Sequence, residues 1–266
     1  MSYKDNVLDL EDTLKKMHVL SKEDKLGIRD GVNMTLILYK LALEIKNKTP
    51  NYLSEEGYVD IMQVLSYCGV EMQECHLNSD QDFFDNEIAG YLDASKYAQN
   101  THGWKIYINA DISGLERRYV IAHEVSHYII DSIYNNKVRR YCTTPVFPKD
   151  SSEQSCDMLA SFLLMPLENV MKYFKCFRDE KMKAGEKPRK VEFIKYLASK
   201  FILTDLQAAM SFEHVRHLAG VLYEKSIFYK SQKSELQCEN RSEEFNFLSN
   251  FKQEYDMIDE YRECFR

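Results

Sequence analysis

The stretch YVIAHEVSHYIID at residues 119–131 constrains this chain more than any other, because it sets two histidines four apart with a glutamate directly after the first. On a helix of about 100° and 1.5 Å per residue, His127 lies about 40° round from His123 and about 6 Å further along the axis, so both imidazoles can reach one ion. Glu124 falls beside the pair, about 100° from His123. Ile121, Ala122, Val125 and Ile129 take the opposite side. That pattern predicts an amphipathic helix from about Leu115 to Tyr134, its apolar face in the core and its histidines toward solvent. An ordinary histidine pair on a solvated face is the alternative, and a third ligand separates the two.

Zinc held by two histidines needs one more protein ligand and an open position, and a carboxylate commonly supplies the former. Glu153 opens the next predicted helix, SSEQSCDMLASFLLMP, which has Ser151 or Ser152 as its cap and Pro166 as its terminator. It follows His127 by 26 residues, enough for a loop to fold one helix back against the other. Asp157 stands four residues later on the same face, so one carboxylate can bind metal while the other takes the free N–H of a ligand histidine. Each acid is otherwise a helix-start charge favoured by the macrodipole.

Three segments, IYIN at residues 106–109, RRYVIAHEVSH at 117–127 and EQSCDMLASFLLMP at 153–166, resemble the ImmA/IrrE family of zinc metallopeptidases. That family's pattern is a strand ending in Asn, then R-x-F-T-x-A-H-E-x-G-H, then E-x-x-A-N-x-F-A-x-x-L-L-M-P. The resemblance covers about residues 55–170. It implies a zincin-like, gluzincin-like core in which His123, His127 and Glu153 bind Zn2+ and Glu124 is the catalytic base. Asp157 matches the family's Asn or Asp. Ser126, Cys156 and Leu159 depart from the common Gly, Ala and Phe but keep small or apolar character. Glu124 would then take a proton from water and hand it to the leaving amine, hydrolysing a peptide with no covalent intermediate. Tyr128, Tyr141 and His102 are candidates for an oxyanion donor.

The remaining sequence frames this site. Leu36, Tyr39, Leu43 and Ile45 recur at helical spacing ahead of Pro50, and a second helix is expected to start near Ser54 and stop at Gly69. Strand-like runs at residues 70–77, 87–94 and 104–110 predict a small, largely antiparallel sheet, and Trp104 reads as its anchor. The stretch from 135 to 149 reads as loop, 178–190 as a polar linker, and 191–219 as helix, tight turn and helix. His214 and His217 read as surface or capping residues.

A net charge of −7 argues against broad attraction to nucleic acid or anionic membrane. No apolar run approaches the length of a spanning helix, and the polar start predicts a cytoplasmic protein. Seven scattered cysteines form no C-x-x-C pair and read as reduced thiols.

The expected organisation is an α+β fold with an N-terminal helical segment (1–52), a metallopeptidase core (53–175), a helical segment resembling a helix-turn-helix (176–230) and an acidic helical tail (231–266). The resemblance implies a regulatory endopeptidase that cuts a cytoplasmic protein, such as a helix-turn-helix DNA-binding repressor of a mobile element or stress response. A zinc-binding regulatory or interaction module with little proteolysis is the second reading. Direct binding to nucleic acid or membrane is not expected.

Overall fold

Alternating side chains build the sheet around which the chain is arranged. Ile106 and Ile108 of β3 (Lys105–Asn109) and Leu92 of β2 (Ile88–Asp93) are fully buried on one face. On the other face Tyr91 stacks on Tyr107 with centroids 4.7 Å apart. The computed structural model describes residues 30–55, 57–77, 88–93, 104–134, 140–143, 151–231 and 264. Among these, the sheet has four strands in the order β1-β3-β2-β4, with β1 at Glu71–Cys75 and β4 at Arg140–Thr143. β2 is antiparallel to both β3 and β4, as expected, whereas β1 runs parallel to β3 with Glu71 opposite Lys105. β4 lies in the stretch read as loop; its four residues pair with β2 across an irregularity between Ile88 and Gly90.

The described helices are α1 (Asp30–Lys48), α2 (Ile61–Cys68), α3 (Gly114–Tyr134), α4 (Ser151–Leu164), α5 (Leu167–Lys183), α6 (Lys190–Phe201) and α7 (Asp205–Ser231). With the mixed sheet they make an α+β fold. α1 buries Leu36, Tyr39 and Ile45 of the expected stripe, and Leu38, Leu41 and Ala42 as well, because α4 and α7 both pack on it. Expectations for residues 1–29, and for the acidic tail beyond Ser231 apart from Cys264, lie outside the described residues.

α2 starts seven residues later than Ser54 suggested. Asp60 is its cap, accepting from the Met62 amide at 3.0 Å. Ser54 enters a turn instead, its N–H donating to the Tyr58 carbonyl at 2.8 Å, with Gly57 at φ +88°. α2 does end at Gly69, which takes a left-handed φ of 69°.

The polar run from 178 is helical as far as Lys183, since its Lys and Glu residues are good helix formers, and it breaks at Gly185. Lys181 then ties the loop to α6 through Glu186 at 2.6 Å and Glu192 at 2.9 Å. α6 and α7 follow as predicted. Thr204 and Gln207 cap α7 reciprocally, each backbone N–H donating to the other's side-chain oxygen at 3.2 Å.

α4 sits between α3, α1 and α7, and buries Leu159, Ala160, Phe162, Leu163 and Leu164, with Met165 buried just beyond its end. The LLMP segment is therefore core, and the Tyr52 hydroxyl donates to the Leu163 carbonyl. No described helix is long and apolar enough to cross a membrane.

Candidate metal centre

The chain enters α3 under tight control. Asn109 closes β3: its side-chain amide donates to the Ile88 carbonyl and its oxygen accepts from the Asp111 amide, both at 3.0 Å. Ser113 and Glu116 then form a capping box at the start of α3, each side chain 3.2 Å from the other's backbone N–H. Arg117 reaches back to Glu74 of β1 at 3.1 Å, and Arg118 donates to the Val59 carbonyl at 2.7 Å. Gly90 lets α3 lie close on the sheet, since a Cβ there would meet Val120 Cγ1 at 2.8 Å and the Tyr107 carbonyl at 3.0 Å.

The motif's side of α3 is not exposed, contrary to expectation. His123, Glu124, Ser126 and His127 are all at 0% exposure, as are Ala122, Val125 and Ile129 behind them. The sheet covers the apolar side and α4 covers the other, a second layer that the periodicity of one helix cannot reveal.

That covering helix brings the predicted ligands together. His123 and His127 turn their Nε2 atoms toward each other at 3.1 Å. The Glu153 carboxylate bridges them, Oε2 to His123 Nε2 and Oε1 to His127 Nε2, each at 3.2 Å. A tetrahedral ion with ligand bonds of about 2.0–2.1 Å separates its donor atoms by about 3.3 Å, so the observed triangle has the size of such a coordination face. Among the described residues, this is the one group of three or more His, Cys, Asp or Glu side chains able to hold a metal.

Asp157 stands where the spacing suggested, with Oδ1 2.9 Å from His123 Nδ1. The same oxygen accepts the Tyr119 hydroxyl at 3.1 Å, and the Tyr119 ring lies over His123 at 28°. His127 has a partner the sequence reading missed: Cys156 Sγ is 3.2 Å from its Nδ1. No periodicity marks that cysteine; only its place beside Asp157 hints at it. Ser126, in place of the common glycine, returns its hydroxyl to the Ala122 carbonyl at 2.8 Å.

Burial pushes the Glu153 carboxyl up, but hydrogen bonds and charge from His123 and His127 outweigh it and hold the group well below the usual carboxylate range. Burial raises the Cys156 thiol far above its ordinary value, with Glu153, Asp131 and Glu124 adding to the effect against His123, so it stays protonated.

The other candidates lie apart. His214 pairs with Ser161 at 2.9 Å and His217 is exposed, so neither joins the cluster. Tyr128 is half-buried, edge-on to Trp104 with centroids 5.5 Å apart. His102 and the side chain of Tyr141 lie outside the described residues.

Residues 85–205 match the peptidase family described as the IrrE N-terminal-like domain. That stretch is similar to the ImmA/IrrE family. The family is metal-dependent, which agrees with the His123, His127 and Glu153 triangle inside the matched stretch. The ImmA/IrrE match begins after β1 and continues through α5 and α6, so it lies further along the chain than the 55–170 read from the motifs. No curated protein matches the chain.

Proposed function

We propose that this protein is a zinc-dependent endopeptidase with His123, His127 and Glu153 as ligands and Glu124 as general base. The carrying observation is the triangle of two Nε2 atoms and one carboxylate, with Glu124 directly following the first ligand. A bound zinc supplies Lewis acidity, lowering the pKa of water toward neutrality and polarising the scissile carbonyl. Glu124 takes the water proton and returns it to the departing amine. The Asp157 carboxylate, 2.9 Å from His123 Nδ1, favours the ring proton on that nitrogen and so leaves Nε2 for the ion.

The substrate proposed is a cytoplasmic helix-turn-helix repressor of a mobile element or stress response, cut at one or two sites. This rests on the family resemblance and on the acidic charge, which disfavours DNA as a direct partner. The complete burial of His123, Glu124 and His127 favours the second reading, a zinc-binding regulatory module with little proteolysis.

One experiment separates the two. Wild type and Glu124→Gln are assayed for zinc by elemental analysis and incubated with a co-encoded repressor and with casein, the products being mapped by mass spectrometry. Selective repressor cleavage by wild type alone, with about one zinc in each, supports the protease. Undiminished cleavage by Glu124→Gln sinks the mechanism. Zinc without cleavage in wild type hands the function to the regulatory module, and broad casein digestion rejects the selectivity.

A further inference from the structure

The two histidines of the centre are supported unequally. His123 Nδ1 faces a carboxylate, Asp157 Oδ1 at 2.9 Å, whereas His127 Nδ1 faces a sulfur, Cys156 Sγ at 3.2 Å. The supports are consecutive residues on α4, and consecutive helical positions diverge by about 100°. One therefore reaches the first histidine of α3 while its neighbour reaches the other, one turn along. Glu153 lies on the same helix one turn before Asp157, so α4 contributes Glu153, Cys156 and Asp157 to the centre.

We infer that Cys156 is a positioning residue for His127: its sulfur accepts the Nδ1 proton and holds the ring in the tautomer whose Nε2 is free to ligate. The inference rests on the metal-centre reading above. A neutral imidazole has one N–H, and a thiol can both donate and accept weakly. If the thiol donated to Nδ1, the ring proton would sit on Nε2 and block the face turned toward Glu153. Only Nδ1–H donating to sulfur leaves Nε2 available. The alanine common at this position in the ImmA/IrrE pattern has no acceptor to offer.

The test measures zinc affinity by competition with a chromophoric chelator for the full-length wild type, Cys156→Ala and Cys156→Ser. Histidine-resolved 1H–15N spectra of the zinc-loaded proteins are recorded alongside. Losing a charged outer partner typically costs 10–100-fold in affinity, so losing this weaker neutral one is expected to cost about 3- to 10-fold in the Ala variant. Ser, which restores an acceptor, is expected to recover part of that loss. The His127 Nδ1–H signal should be protected from exchange in wild type and Ser but not in Ala. Thermal melts of the metal-free proteins control for folding, since a merely structural role would lower all three measures without Ser rescue. Equal affinity in wild type and Ala, or an Ala loss with no rescue and an unchanged Nδ1–H signal, overturns the inference. A thiolate charge-transfer band in the cobalt-substituted wild type would make Cys156 a ligand and also overturn it. Failure of wild type to bind zinc would instead overturn the metal-centre reading.

Discussion

The Asp157 carboxylate places Oδ1 2.9 Å from Nδ1 of His123. Because the same oxygen also accepts from Tyr119, orienting His123 depends on a pair of residues from two helices. Asp157→Ala is expected to weaken zinc binding by about 10- to 100-fold, and Tyr119→Phe by less, because the carboxylate stays beside His123 when only the hydroxyl is lost. Equilibrium zinc titration of both variants checks this; a larger effect from Phe would mean the ring stack matters more than the carboxylate.

Each proposed ligand should be individually necessary. His123→Ala, His127→Ala and Glu153→Ala are each expected to lower the zinc content of the purified protein well below about one per chain, since an open catalytic site has only three protein ligands. Full retention in all three would refute the assignment.

Glu153 should leave a signature in the acid stability of the metal-free protein. Its folded carboxyl is held below its ordinary value of 4.5 by His123 and His127, despite burial. A depressed carboxyl contributes stability above its unfolded value and loses it as pH falls through the folded one. Wild type should therefore exceed Glu153→Gln in stability at about pH 5, and the gap should close as the medium is acidified through the ordinary carboxylate range of about 4 and below. Urea melts in the presence of a chelator measure it; a gap that widens with acid contradicts the assigned sign.

Gly90→Ala is expected to destabilise the fold by about 1–3 kcal/mol, the usual cost of forcing extra volume into a packed core. The new Cβ would fall 2.8 Å from Val120 Cγ1 and 3.0 Å from the fixed carbonyl of Tyr107, so only the α3 side can give way. Denaturant unfolding checks the magnitude, and a neutral result would mean that α3 shifts freely on the sheet.

Thiol labelling should divide the cysteines by depth. Cys176 is exposed and should react within the dead time of mixing. Cys68 is buried and its thiol is pushed up to about 12 by that burial, so it should react only on unfolding, as should Cys156. Peptide mapping after brief alkylation distinguishes them.

The site was more legible in the sequence than the fold around it. His123, His127, Glu153 and Asp157 could be placed because each relation is a local spacing on one of two helices, and the geometry brings all four together. The parallel pairing of β1 with β3 could not, because it joins residues 34 apart, as Glu71 with Lys105, and no local pattern records strand direction. Ser54 lost the helix cap to Asp60 for a similar reason: both are good caps, and the turn at Gly57 decides between them. The burial of the motif and the role of Cys156 both depend on α4 lying across α3, a fact of packing between elements.

The depth of the two histidines also has a kinetic side. Of the proposed ligands, only the Glu153 side chain reaches the surface, at 22% exposure, while those of His123 and His127 stand at 0% and 1%. A bulky chelator, like a polypeptide, reaches the ion only once α4 has drawn back from α3. Loss of metal should then follow the rate at which α4 parts from α3, and adding more chelator would not hasten it. The lifetime of the loaded centre is in this way set by a motion of the fold, separately from how tightly the ion is held.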